Sequence, residues 1–198
     1  MELDDLKAAW AELDNRLKKN EELKESIIIE MMKSKAGKSI SRLLNWDIFG
    51  ASILLLIFPF VVFMYEKFRG MFIMWDCMII ACMIYCVVYL PRHLYKIYGL
   101  MKIEFSGNIH DNINRINRYN IQVKRDKKIH HYIVHPVLGI LGILTYGSMK
   151  ATLPLWIFLI CIYILATLLS HLSYKRIYDK NIESTLKSLD EIRELKEE

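Results

Sequence analysis

The chain has 198 residues, of which 54% are apolar and 25% are charged, with 27 Lys and Arg against 22 Asp and Glu. The charged fraction is that of an ordinary soluble domain, so the excess of apolar residues must be concentrated in blocks. This composition excludes a disordered chain, a disulfide scaffold, a nucleotide-binding sheet and an ordinary soluble enzyme.

Four apolar runs stand out along the chain. They cover residues 48–65, 70–90, 132–149 and 151–172, and the sole charged residue within them is Asp76. As a helix rising 1.5 Å per residue, each run is about long enough to cross ~30 Å of hydrocarbon. The sequence therefore predicts an all-α, polytopic membrane protein with four transmembrane helices.

The distribution of Lys and Arg predicts how these spans are oriented. Basic clusters lie at 33–42, 124–128 and 175–176, before the first span, before the third span and after the fourth. Flanking segments rich in Lys and Arg face the cytoplasm. Four spans place all three clusters and both termini on that side. No secretory signal is visible, because the first apolar run is preceded by a highly charged segment. We expect a multi-pass protein of the bacterial inner membrane.

This topology divides the chain into five segments. Residues 46–91 and 132–174 form two transmembrane hairpins, while residues 1–45, 92–131 and 175–198 lie in the cytoplasm. The cytoplasmic segments also predict helices, because their apolar residues recur at spacings of three and four. We expect these helices to extend the membrane helices into a cytoplasmic helical bundle.

The segment 1–45 predicts two amphipathic helices. The stripe of the first helix is Leu3, Leu6, Trp10, Leu13 and Leu17. This spacing is typical of an amphipathic helix or a short coiled coil. The stripe is interrupted after Leu17, and Asn20 followed by two glutamates has the residues of a new helix start. An exposed apolar stripe has to be buried against something, so we predict that it binds a partner or drives self-assembly.

The segment 92–131 predicts a basic helical hairpin with its turn at Ser106, Gly107 and Asn108. Its second arm ends in a cluster of cations, Lys124, Arg125, Lys127 and Lys128. The cluster abuts a span and lacks the surrounding aromatic residues on which nucleic-acid bases stack, so we expect it to bind anionic lipid head groups rather than nucleic acid.

The segment 175–198 predicts a polar helix that continues the fourth span. Its apolar stripe contains Ile182, Leu186, Leu189 and Ile192. As at the N-terminus, a single apolar stripe on a polar helix indicates a packing surface. We assign it to assembly or partner binding.

The candidate catalytic or metal-binding residues are Asp76 and a group of three histidines. An acid within a span is a functional candidate by default, but Asp76 lies only ~9 Å from the outer end of its helix, which favours a structural role. His131 and His135 share a helix face beside His130, yet no neighbouring acid or cysteine completes a zinc set. We therefore expect no cofactor, no metal and no enzymatic activity.

The N-terminal sequence resembles that of a known group of membrane proteins. The run from Leu3 to Trp10, continued by Leu13, Leu17 and residues 25–32, resembles the opening of small Bacteroidetes membrane proteins encoded beside extracytoplasmic-function sigma factors. Those proteins are regarded as membrane anti-sigma regulators. The resemblance implies a sigma factor as the cytoplasmic partner, and it assigns no individual residue a role.

These observations favour a non-enzymatic inner-membrane protein with regulatory or interaction function. Its cytoplasmic helices would bind a partner or assemble copies of the chain. The alternative is an oligomeric channel or pore lined by the spans around Asp76, because a ring of acids would concentrate cations there.

Overall fold

The structure, a computed structural model, describes residues 3–105, 107–150 and 152–197, and for residues 3–6, 8 and 9 it describes the backbone alone. Every regular element in these ranges is a helix. Within the described residues, four helical stretches are long and apolar enough to cross a membrane, which agrees with the four predicted spans. The predicted turn residue Ser106 lies outside the described residues.

Six α-helices and two π-helical turns follow one another along the chain. They are α1 (Leu3–Phe68), α2 (Ile73–Met101), α3 (Ile109–Ile129), a first π turn (His130–Val134), α4 (His135–Ser148), α5 (Leu153–Ser173), a second π turn (Tyr174–Asp179) and α6 (Lys180–Glu197). Each π turn joins its two neighbours without a break, so α3 runs on into α4 and α5 runs on into α6.

Helix α1 is a single helix from Leu3 to Phe68. The predicted helix start at Asn20 is therefore wrong. An asparagine caps a helix only where the backbone before it is non-helical. Here Leu, Lys and Glu, which all favour helix, flank Asn20 on both sides, and a helix already formed adds residues far more easily than it restarts. The N-terminal segment thus continues the first span as part of one helix.

A hydrophobic core lies where α1, α2, α3 and α6 meet outside the apolar runs. This bundle core consists of Ile40, Leu43, Leu100, Ile113, Ile116, Tyr119, Val123, Tyr178, Ile182 and Leu189. Leu43 and Ile116 have no exposed surface, and Leu100 and Leu189 are 1% exposed. Side chains packed this tightly hold the four helices in one arrangement.

Helix α6 contributes its stripe to this core and not to an outer surface. Ile182, Leu189 and Ile192 are at most 3% exposed, and Leu186 packs against the core. Helix α6 runs back along α1 in the opposite direction, and the Ser39 hydroxyl donates to the Ser184 hydroxyl over 3.3 Å. The prediction that this stripe serves assembly or partner binding is therefore wrong, because α1 of the same chain covers it.

The apolar runs pack less tightly than the bundle core. Leu54, Cys86 and Tyr89 form a small buried cluster between α1 and α2. Helix α5 has no buried residue among its described positions, and its contacts with α4 include the Tyr163 ring beside Gly139 and the Trp156 ring 6.0 Å from that of Tyr146. Apolar side chains that face outward over the length of a helix suit contact with lipid.

Candidate functional sites: a buried ionic cluster and an exposed arm

Asp47 lies on α1, one residue before the first apolar run, and it is fully buried. Its carboxylate accepts hydrogen bonds from the hydroxyls of Tyr119 at 2.7 Å and Tyr178 at 2.9 Å. The Lys96 ammonium lies 3.2 Å from the same carboxylate, and the His93 imidazole lies 3.3 Å from it. Asp47 thus ties α1 to α2, to α3 and to the second π turn.

Lys96 connects this carboxylate to a second one. Its side chain is 6% exposed, and its ammonium lies 3.5 Å from the carboxylate of Asp126 on α3. Asp126 is 4% exposed, and Arg92 approaches it at 3.4 Å. Two carboxylates and two cations therefore balance one another in a buried site. We call Asp47, Arg92, Lys96 and Asp126 the ionic cluster.

The protonation states around Asp47 follow from burial and neighbouring charge. Burial by itself raises the pKa of the Asp47 carboxyl, but the adjacent His93 imidazole, the charge of Lys96 and the hydrogen bonds from the two tyrosine hydroxyls lower it below its ordinary value overall. Burial and the adjacent Asp47 charge raise the pKa of Tyr119 and of Tyr178, so both stay protonated and keep donating. Asp47 is therefore ionised at neutral pH.

His130 is held beside this cluster by two hydrogen bonds. Burial lowers its pKa, so the ring is neutral at pH 7. Its Nδ1 lies 3.0 Å from the backbone carbonyl of Asp126, which can only accept, so Nδ1 carries the proton. Nε2 then accepts from the Tyr85 hydroxyl at 2.9 Å. His130 consequently has neither nitrogen free for a metal in this arrangement.

The first π turn sets the spacing of the histidine group. The backbone N–H of His135 donates to the carbonyl of His130, and the two rings lie 6.4 Å apart. His131 is exposed. Among the described residues, no three His, Cys, Asp or Glu side chains come together in a way that could hold a metal ion.

The N-terminal part of α1 projects beyond the bundle as an arm. Every described side chain from Lys7 to Ile28 is exposed, whereas Ile29, Met32 and Lys33 are partly covered and Ala36 is buried. The covered part of α1 begins at about residue 29, and α6 packs against it, with Ser184 beside Ser39. Residues 3–28, which we call the arm, therefore extend about 39 Å at 1.5 Å per residue.

The apolar stripe of the arm faces away from the rest of the chain. Trp10 is 65% exposed, Leu13 51% and Leu17 55%. The stripe continues with exposed Leu23, Ile27, Ile28 and Met31. The side chains of Leu3 and Leu6, which the sequence also placed on the stripe, lie outside the described residues. Of the two predicted binding stripes, the stripe of the arm is left uncovered by the described part of the chain.

The predicted lipid-contact cations occupy different surroundings. Arg125 and Lys128 are exposed, and the Lys127 ammonium lies over the Tyr174 ring at 5.6 Å from its centre. Lys124 lines an open groove of about 850 Å³ between α3 and α6, opposite acidic side chains that include Glu183 and Asp190. Contact with lipid head groups remains a prediction for all four.

Asp76 lies in the first turn of α2 and closes the turn between the first two spans. Its two carboxylate oxygens lie 3.3 Å and 3.2 Å from the backbone N–H of Gly70, which donates to them. Gly70 has φ of 79°, a conformation that a residue without a Cβ adopts freely. This contact gives the carboxylate a structural role at the end of the span.

No match was found for this chain among protein-family models, curated proteins or solved structures.

Sequence reasoning missed the ionic cluster. Asp47 follows Trp46 at a span end, where an aromatic residue indicates a membrane interface and gives no sign of an ion pair. Its partners Lys96 and Asp126 stand about 50 and 80 residues further along the chain. One feature of the sequence could have indicated the cluster: Asp47 is an acid directly before an apolar run, where burying a charge without a partner is costly.

Proposed function

We propose that this chain is a non-enzymatic interaction protein of the bacterial inner membrane. Both termini, the bundle core and the arm lie in the cytoplasm, and the arm binds another protein chain. The observation that carries the proposal is the arm itself, a helix of about 39 Å with an apolar stripe that no other described part of the chain covers.

The apolar stripe of the arm has no cover from the described part of the chain. An amphipathic helix is stabilised mainly when its apolar face is packed against another element. Trp10, Leu13 and Leu17 each leave more than half of their surface exposed. Burying side chains of this size stabilises a complex by about 1.5–3 kcal/mol each. A partner laid along the stripe would therefore both order the helix and gain binding energy.

The ionic cluster supports a mechanical role for the rest of the molecule. Lys96 holds Asp47 and Asp126 together, and these residues come from α1, α2 and α3. Charges that are paired in this way hold a geometry. They would keep the arm in a fixed direction relative to the spans, which a protein that presents a binding surface needs.

The nature of the partner follows from the side of the membrane. The positive clusters flanking the spans favour the cytoplasm for the arm. The partner is then a cytoplasmic protein, for which the sequence resemblance implies a sigma factor, or a second copy of this chain. The alternative of a channel around Asp76 loses support, because that carboxylate is engaged with the Gly70 backbone.

Reporter fusions test the orientation on which the proposal rests. A fusion after residue 198 and one at Ser106 should report a cytoplasmic location, and one at Gly70 should report an external location. An external signal at Ser106 would reverse the topology and place the arm outside the cell.

Replacement of the stripe tests the role of the arm. The triple variant Trp10→Ser, Leu13→Ser and Leu17→Ser should lose partner capture or assembly while inserting into the membrane as the parent does. A matched control replaces the polar face with Asn15→Ser and Glu22→Ser and should behave as the parent. If the stripe variant keeps both assembly and partner capture, the arm is not a binding surface.

A further inference from the structure

Helix α1 fixes the direction and the height of the arm. Since α1 continues without a break from Leu3 to Phe68, the arm has the axis of the first span. Two copies of the chain in one membrane carry their first spans in the same sense. Their arms are therefore parallel, and the bilayer places any given residue of both arms at about the same height. Whatever pairs two such arms must work in a parallel, in-register arrangement.

The stripe follows a heptad repeat through Asn20, where the sequence had predicted a new helix start. Because Asn20 does not end the helix, the repeat runs on in one frame from Trp10 to Met31. Its core positions are Trp10, Leu13, Leu17, Asn20, Lys24, Ile27 and Met31. Alternating spacings of three and four over three heptads form the surface that a coiled coil buries. The polar members Asn20 and Lys24 interrupt this surface in its middle.

The residues that flank the core positions of one arm can pair with those of a second arm. The seven positions of a heptad are labelled a to g, with the core at a and d, and Leu17 is an a position here. In a parallel two-stranded coiled coil, the residue before each a position faces the residue five positions later on the other helix. Arg16 of one copy then faces Glu21 of the other, and the symmetry of the dimer forms this pair twice. By the same rule Leu23 faces Ile28, which adds apolar contact, and both are exposed in the single chain. Opposite charges at these flanking positions select the partner and its orientation.

We propose that the arm pairs with the arm of a second copy of this chain, as a parallel, in-register, two-stranded coiled coil from Trp10 to Met31. This inference rests on the proposed function, whose partner it names. An unrelated protein would have to reproduce the same core spacing and the same charge order, whereas a second copy carries them by identity. Anchoring in one membrane also raises the effective concentration of one arm for the other.

The internal contacts of the chain allow this pairing. Around the helix, at about 100° per residue, the stripe lies about 120° away from the face that Ala36, Leu43 and Asp47 bury. Two arms can therefore meet without displacing α6. In the single chain Arg16 pairs with Glu12 at 2.6 Å, but both side chains are mostly exposed. An exposed pair of this kind holds its partner weakly, so Arg16 can exchange it for Glu21 of the other copy.

The pairing ends near Met31. Below it Lys35, Lys38 and Arg42 follow on the same side of α1, and all three are exposed. Like charges brought face to face oppose a close approach. The two helices therefore separate toward the membrane, and each span keeps its own bundle. Within the paired stretch Lys24 is a single cation at an a position between apolar a positions, and a polar Asn or Lys at one such position specifies register and strand number at some cost in stability.

Cysteine cross-linking tests the pairing in the full-length chain. Leu13→Cys puts a thiol at a core position, where it meets only its own copy if the arms are parallel and in register. Asn15→Cys is the matched control, two residues away on the opposite face and also exposed. The four native cysteines lie in the apolar runs of α2 and α5, so the parent chain gives the background. Oxidised membranes should give a covalent species of two chains at least about tenfold more with Leu13→Cys than with Asn15→Cys, because a disulfide forms only when the Cα atoms come within about 7 Å.

A charge exchange tests the predicted register in the Leu13→Cys background. Arg16→Glu places like charges opposite each other twice and should weaken pairing about tenfold, and Glu21→Arg should do the same. The double variant restores both pairs and should recover the cross-linking yield of the parent. The single variant Glu21→Arg already contains the local gain of an Arg four residues before Glu25, so a recovery seen in the double variant alone reports the restored pairs between the two copies.

The outcomes separate this inference from the proposed function. Equal cross-linking of Leu13→Cys and Asn15→Cys, a product of three chains, or a double variant as weak as the single ones would each overturn the pairing. If the pairing fails but the Trp10, Leu13 and Leu17 serine variant still loses a cytoplasmic partner, the proposed function stands with another occupant. If that serine variant also loses nothing, both are refuted.

Discussion

Removal of Lys96 is the sharpest test of what holds the four helices together. Lys96→Met keeps a long, unbranched side chain of similar length and removes only the charge. The buried carboxylates of Asp47 and Asp126 then lose the cation that lies between them at 3.2 Å and 3.5 Å. The bundle core, which packs around the same helices, is left unchanged. Any loss of stability therefore reports the ionic cluster.

The expected loss follows from the burial of the three groups. Asp47 is fully buried, Asp126 is 4% exposed and Lys96 is 6% exposed, so water screens none of them well. Removing one member of a buried ion pair costs about 3–5 kcal/mol, because it leaves an uncompensated charge. For a chain of this size about 1 kcal/mol lowers the melting temperature by about 2–4 °C. Lys96→Met should thus melt about 6–20 °C lower than the parent.

Thermal unfolding of the full chain in detergent measures this effect, with two comparisons. Lys187→Met removes an exposed lysine that lies 3.9 Å from Glu191, and it should change stability by at most about 0.5 kcal/mol. Combining Lys96→Met with Asp47→Asn removes the stranded charge, leaves Arg92 paired with Asp126 at 3.4 Å, and should recover much of the loss. If Lys96→Met melts within about 2 °C of Lys187→Met, at the scale of about 2–4 °C per kcal/mol, the cluster does not stabilise the fold.

Further predictions concern the tyrosines, the pH response and Asp76. Tyr119→Phe and Tyr178→Phe each delete a hydrogen bond to a charged carboxylate and should each cost about 1.5–3 kcal/mol in thermal unfolding, whereas no loss in either would contradict the geometry. Despite its burial, Asp47 has a lowered pKa because of its hydrogen bonds and a lysine charge. Its contribution to the free energy of unfolding is therefore complete at neutral pH, and it is lost only as the pH falls below about 3.9 and through the lower pKa of the folded state. Asp47→Asn should therefore flatten the stability profile in that acid range, and an unchanged profile would argue against it. Asp76→Asn should leave both stability and liposome ion flux near parental values, because the amide oxygen still accepts the Gly70 N–H, while an ion leak that depends on Asp76 would favour the channel.

The four spans could be predicted from the sequence because their determinant is local. A helix that crosses a membrane has to be apolar over about 20 consecutive residues, and that property is visible in one run at a time. The same is true of the arm stripe, since the spacing of Trp10, Leu13 and Leu17 needs no knowledge of the rest of the chain. Both elements appear in the structure as helices, with the stripe exposed.

Whether each apolar stripe is buried or exposed depended on tertiary structure. Periodicity shows that one face of a helix must be covered, but it does not say by what. The stripe on α6 has the same pattern as the stripe on the arm, yet α6 folds back onto α1 and buries Ile182 and Leu189. No described helix lies beside the arm, and its stripe stays exposed. Which helix lies beside which stripe is decided by packing, and only the assembled fold shows it.

The ionic cluster and the continuity of α1 were also decided by the fold. Asp47, Lys96 and Asp126 lie far apart in sequence, and each one alone is indistinguishable from a solvated charge beside a span. They become a site only when α1, α2 and α3 pack together and exclude water. At Asn20, a local capping preference of about 1 kcal/mol competed with the cooperativity of a helix already formed on both sides, and cooperativity prevailed. Local sequence thus determined where helices form and which face is apolar, while packing determined which faces and charges meet.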